Sequence, residues 1–130
     1  MQQSPLGDQP KKLVKLAHAL GVKIALGTDA GVYPHGQNAN EFMEYVEAGM
    51  TPMQALVVGT TDAALAGGIK GVGALEVGMS ADVVAMIRSP LENISAVQHV
   101  SFAMLRGTVY KQEGAERVLA QDQSSQTNDV

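Results

Sequence analysis

An α/β chain is expected from three features in succession: helical periodicity over residues 11–20, a short apolar run from Val22 to Leu26, and helical periodicity again from Ala39. In the first, Leu13, Leu16, Ala17 and Leu20 share one face, with Lys11, Lys12, Lys15 and His18 largely away from it, and Gly21 is placed to end the helix. The apolar run that follows at once suits a strand of a parallel sheet covered on both faces. Beyond a loop, Ala39, Phe42, Met43 and Val46 form a second amphipathic stripe, with Asn40, Glu41, Glu44 and Glu47 outside it as a solvated face and Gly49 closing it. Thr51-Pro52-Met53-Gln54 combines an N-cap, a proline at the first helical position and a glutamine at the third, so a capping box should open a third helix running to about Ala66.

At Gly67-Gly68 the pattern changes to short β-rich runs separated by Gly, Ser, Pro and Asn. Ala81 to Ile87 reads as one strand. Val100 to Leu105 and Thr108 to Lys111, joined at Arg106-Gly107, read as a hairpin. The polar end QDQSSQTNDV lacks periodicity and is expected to be disordered. The chain therefore divides into residues 1–68, residues 69–113 and a tail, residues 114–130.

Composition limits the partners. Apolar residues are 45% of the 130-residue chain and charged residues 17%, which is the balance of a globular protein with a core. Nine basic residues face thirteen acidic ones, and no basic run exceeds Lys11-Lys12, which argues against a nucleic-acid partner. The N-terminus MQQSPLGDQPKK lacks the apolar centre of a signal peptide, and no stretch approaches the roughly 18 apolar residues of a membrane span. A cytoplasmic protein with no membrane partner is the expectation. Without cysteine, any metal must be held by oxygen or imidazole.

The residues with chemistry gather after the apolar run, in Gly27-Thr28-Asp29-Ala30-Gly31-Val32-Tyr33-Pro34-His35-Gly36. Reactive groups in α/β folds sit at the carboxyl ends of strands, where loops converge on one face. Asp29 stands at such an end. Its carboxylate could ligate a metal or take a proton from water; equally, Thr28 and Asp29 could simply cap the turn. Other motifs are weaker. Gly67-Gly68-Ile69-Lys70-Gly71-Val72-Gly73 has a phosphate loop's glycines without its Lys-Ser/Thr ending. Asn93-Ile94-Ser95 is a sequon without an export signal, and Met43, Met50 and Met53 read as core filling.

Three segments in order carry a family resemblance. Gly21 to Gly31 resembles the eighth barrel strand of the amidohydrolase superfamily, Glu47 to Leu56 the helical segment after that strand, and Gly73 to Val84 the return to a small β-sandwich. The resemblance covers roughly residues 11–112. It implies that residues 1–68 are the C-terminal part of a (β/α)8 TIM-type barrel, with its last strand and flanking helices. Residues 69–113 would then be strands of a small composite β-sandwich. It further implies hydrolysis of C–N bonds by water activated on one or two divalent metals, usually zinc, with Asp29 as metal ligand and general base. Ala30 to Gly36 is most similar to the prolidase-like and carboxypeptidase-like branch, with imidazolonepropionase-like enzymes more distant. An amide, an N-acyl amino acid or a dipeptide is the implied substrate. Thr28 and His35 are candidate substrate contacts, with Tyr33 beside them, although a histidine between Pro34 and Gly36 also suits a solvated turn.

The departures from the family pattern are as informative. The family's His-x-His pair, its later histidines and its bridging lysine or glutamate have no counterpart; the histidines here are His18, His35 and His99. Catalytic zinc takes about three protein ligands, and a barrel takes about 250 residues. Two expectations follow. As part of a hydrolase, truncated or split, the chain contributes Asp29 and needs a missing N-terminal portion or self-association to cover its core. As a non-catalytic interaction module, it packs on a partner. Alone, it should be inactive and either poorly stable or oligomeric.

Overall fold

The computed structural model describes residues 9–29, 31, 34–112 and 115–116. Helix α1 (Gln9–Ala19) ends as its sequence implies. Gly21 takes φ 70°, and the Val22 and Gly21 N–H groups donate to the carbonyls of Ala17 and His18, at 2.9 and 3.0 Å. Its orientation departs from expectation. Val14, not the leucine stripe, packs on the core, and Lys11 Nζ reaches Glu47 Oε2 at 2.6 Å. Leu13, Leu16 and Leu20 are left 68%, 56% and 70% exposed. The amphipathic face is real, but nothing among the described residues covers it.

The run Val22–Leu26 forms no strand. It does keep a strand's two-residue alternation, because Ile24, Leu26 and Thr28 are half-buried while Lys23, Ala25, Gly27 and Asp29 are exposed. A ladder requires a neighbour to exchange backbone hydrogen bonds, and none lies beside this run among the described residues. Its backbone is tied to the rest by the Leu26 N–H, which donates to the Val58 carbonyl at 3.1 Å.

Helices α2 (Asn40–Glu47), α3 (Pro52–Gly59) and α4 (Thr61–Ala66) follow. Gly49, at φ 110°, closes α2 while Met50 N–H donates to the Tyr45 carbonyl at 3.1 Å. The capping box is present: Thr51 Oγ1 accepts from Gln54 N–H at 3.2 Å, and Thr51 N–H donates to Gln54 Oε1 at 2.8 Å. The expected single helix to Ala66 is two helices, broken at Thr60 (φ −126°, ψ −88°), whose hydroxyl donates back to the Leu56 carbonyl at 2.7 Å. Such back-bonding competes with the helical ladder.

The core consists of Tyr45, Met50, Ala55, Val58 and Ile94, with Ile24, Leu26, Phe42, Met43 and Val46 packed against it. Met43 and Met50 therefore fill the core as expected, whereas Met53 is exposed. At Gly59 a Cβ would lie 2.4 Å from the Phe42 ring and 3.3 Å from Leu26, so the absence of a side chain lets α3, α2 and the Leu26 run close on one another. Of the glutamates expected to be solvated, Glu41 is half-buried.

Strands β1 (Val83–Met86), β2 (Val100–Leu105), β3 (Thr108–Gln112) and β4 (Ala115–Glu116) form one antiparallel sheet in chain order. The hairpin at Arg106-Gly107 is as expected, with both residues at positive φ (50° and 80°), which is the backbone of a type I′ turn. Asp82 Oδ1 holds it by accepting from Arg106 N–H at 2.7 Å. β4 places Ala115–Glu116 in the sheet, against the expectation of disorder there; the rest of the tail, 117–130, lies outside the described residues. A 3-10 helix (Ile94–Gln98) was not expected. It packs its buried Ile94 and Ala96 beside α2, and Asn93 of the sequon caps it by accepting from Ser95 N–H at 3.0 Å. Among the described residues there is one sheet, without a second facing it.

Candidate active site

Asp29 ends the alternating run on its exposed side. Its φ of 47° lies in the left-handed region, one of two such non-glycine positions among the described residues. That backbone costs about 1–3 kcal/mol for a residue with a side chain, and aspartate is among those that adopt it most readily. The turn therefore holds an exposed carboxylate at a fixed, left-handed backbone position.

Thr28, beside it, is half-buried, and its Oγ1 accepts from Asn38 Nδ2 at 3.2 Å. Asn38 escapes a reading of the sequence because an amide in a Gly- and Pro-rich loop looks like turn chemistry. The Asn38 carbonyl accepts from Glu41 N–H at 3.3 Å, so the same residue leads into α2. His35 is exposed, and so is His99; His18 is half-buried on α1. Tyr33, along with Ala30 and Val32, lies outside the described residues.

Next to this loop an open cleft of about 520 Å³ is lined by Gly36, Gln37, Asn40, Val97 and Gln98. Gln98 Nε2 donates to Asn40 Oδ1 across it at 2.8 Å, joining the 3-10 helix to the start of α2. Within α2, burial and then the neighbouring Glu44 raise the Glu41 carboxyl above its usual 4.5. Tyr45 is raised above 10.0 by burial, and further by Glu41 and Glu44.

The fit to a metal fails within this chain: among the described residues no three His, Asp or Glu side chains come close enough to hold one. What the arrangement offers is a single exposed carboxylate on a braced turn.

The whole stretch from residue 3 to residue 110 matches the model of the amidohydrolase family. The chain belongs to that family. Ochratoxinase of Aspergillus niger is 37% identical over 115 residues, covering 84% of this amidohydrolase chain and 24% of the relative. Among solved structures, a Xaa-Pro dipeptidase with methionine in its active site matches with TM-score 0.79 and 38% identity, over 82% of this chain and 27% of that one. A prolidase complexed with N-methylphosphonate-L-proline matches with TM-score 0.68 and 28% identity, over 78% and 26%. The chain spans about a quarter of the length of these relatives. The resemblance to the amidohydrolase superfamily is thus confirmed, and members of the family are generally metal-dependent. No helix among the described residues is long and apolar enough to cross a membrane.

Proposed function

We propose that this chain contributes the reacting carboxylate of an amidohydrolase that cleaves a C–N bond in an amide, an N-acyl amino acid or a dipeptide. The observation that carries this reading is Asp29: an exposed carboxylate in left-handed backbone at the end of a strand-like run. In the reaction Asp29 accepts the proton of the attacking water. The prolidase and Xaa-Pro dipeptidase relatives are named for peptide substrates, which supports the dipeptide side of the range.

In this reading residues 1–68 are the last part of a (β/α)8 barrel, and residues 69–113 belong to a small β-sandwich completed by other strands. A divalent metal, zinc by family resemblance, belongs to the complete enzyme. This chain offers it Asp29 alone, and the remaining ligands come from elsewhere in the barrel. His35 flanks the substrate side, while Thr28, the other candidate contact, supports the Asp29 turn from its inward side.

The test has two arms. Residues 1–130 expressed alone should bind no stoichiometric zinc and turn over neither N-acyl amino acids nor dipeptides. Complemented with the N-terminal portion of a relative's barrel, the assembly should hydrolyse such a substrate, and Asp29→Asn should lower kcat about 10²- to 10⁴-fold. Asparagine also tolerates left-handed backbone, so this substitution removes the base and leaves the turn. Near-normal turnover in the substituted assembly would reduce Asp29 to a turn residue.

A second reading has its own observation. The exposed Leu13, Leu16 and Leu20 face is what a non-catalytic module that packs on a partner would present. Failure of every complemented assembly to turn over substrate, with a stable complex formed, would favour it.

A further inference from the structure

We propose that Asn38 is a positioning residue that holds Asp29 in its reactive orientation by clasping Thr28. The inference rests on the reading of Asp29 as the reacting carboxylate and deepens it.

The run that ends at Asp29 has no sheet neighbour to hold it among the described residues, so it is attached to the packed helices by the side chains of Ile24 and Leu26 and by individual hydrogen bonds. Two such bonds are present. Leu26 N–H donates to the Val58 carbonyl at 3.1 Å, near the end of α3, where Gly59 gives Leu26 and Phe42 room to approach. Two residues on, Thr28 Oγ1 accepts from Asn38 Nδ2 at 3.2 Å. The side chains of Leu26 and Thr28 are both on the half-buried side of the alternation, and Asp29 follows on the exposed side.

Asn38 is a firm anchor because it is itself attached. Its carbonyl accepts from Glu41 N–H at 3.3 Å, and α2, which it leads into, packs on the core through Tyr45 and is tied to the 3-10 helix through Asn40 and Gln98. The residue after Thr28 adopts φ 47°, a conformation that the chain would leave if its neighbours were free. The clasp immediately before it supplies the restraint. Thr28 is thereby assigned to orientation, as the acceptor of the Asn38 bond.

The experiment uses the full chain with ¹³C,¹⁵N-labelled aspartate. Asn38→Ala and Thr28→Val should each move the Asp29 Cα and Cβ resonances away from left-handed values. Thr28→Ser, which keeps the oxygen, should leave them as in the parent. The Asn38→Ala, Thr28→Val double variant should be no worse than either single one, because both remove the same bond. In the complemented enzyme the two disrupting variants should lower kcat with little change in KM, and Thr28→Ser should restore it. Thr28→Val preserves side-chain shape, so it reports on the clasp even where Asn38→Ala unfolds the chain. Unchanged Asp29 resonances in Thr28→Val, or effects of the two substitutions that simply add, overturn the clasp. That failure is separate from failure of the catalytic reading, which appears as normal turnover in Asp29→Asn while the resonance shifts remain.

Discussion

Residues 9–29 and residues 40–59 carry the same kind of apolar patterning and meet opposite fates. In α2 and α3 the apolar side chains find one another, and Tyr45, Met50, Ala55 and Val58 are buried. In α1 and the run after it, Val14, Ile24 and Leu26 reach that core, while Leu13, Leu16, Leu20 and Val22 remain exposed. The difference is one of available neighbours, not of sequence quality. The first region has a partner layer on one side only, and the Asp29 turn stands at the end of that half-covered layer.

The comparison breaks most visibly at Met50. Met50→Ala should destabilise the chain by about 2–5 kcal/mol in urea denaturation, because it empties a buried site. A loss as small as that of an exposed leucine would mean that α2 and α3 hold no core. Overpacking tests the same region from the other direction. Ala55 is fully buried, and Ala55→Leu should cost about 1–3 kcal/mol. The capping box comes next: Thr51→Ala should cost about 1 kcal/mol, while Thr51→Ser, which retains the hydroxyl, should recover most of it.

Acidity sharpens the contrast within α2. The folded state raises Glu41 above 4.5, mainly by burial, so it holds that proton more tightly than the unfolded chain does. The sign is therefore the reverse of a paired carboxylate's. Stability contributed at this site is highest at acid pH and falls as pH rises from about 4.5 through the raised value. Glu41→Gln should stabilise the chain at neutral pH and flatten that part of the stability profile. Urea midpoints measured between acid and neutral pH decide it; a Glu41→Gln profile that still falls over this range would assign the effect to another group.

These contrasts also explain what the sequence disclosed. Caps and turns were legible because their chemistry is local: Gly21 and Gly49 at helix ends, Thr51 with Gln54, Arg106-Gly107 in the hairpin. The apolar character of Val22–Leu26 was legible too, but its burial on one side only and its lack of strand pairing were not, since both depend on neighbours that no local pattern reveals. The facing of α1 is hidden from the sequence for the same reason. Its leucines form the strongest stripe, yet the half-buried face is the one bearing Lys11 and Val14, because α2 lies there. At the candidate site Asp29 stood out by position. Asn38 did not, because its bond to Thr28 spans a ten-residue loop whose path only the fold defines.

The smallest expected effect is the most diagnostic of the half-covered layer. Leu13→Lys, Leu16→Lys and Leu20→Lys should each change the stability of the monomer by no more than about 0.5 kcal/mol, since an exposed side chain loses little on replacement. The triple variant should nevertheless lower self-association, because a contiguous apolar face in water is a contact surface and three charges remove it. Light scattering over a concentration series reads this directly. In the complemented assembly the same triple variant should abolish complex formation, since the lysines would be buried against the remainder of the barrel without partners. Unaltered self-association together with an unaltered assembly would mean that this face is solvent-exposed in every state of the protein.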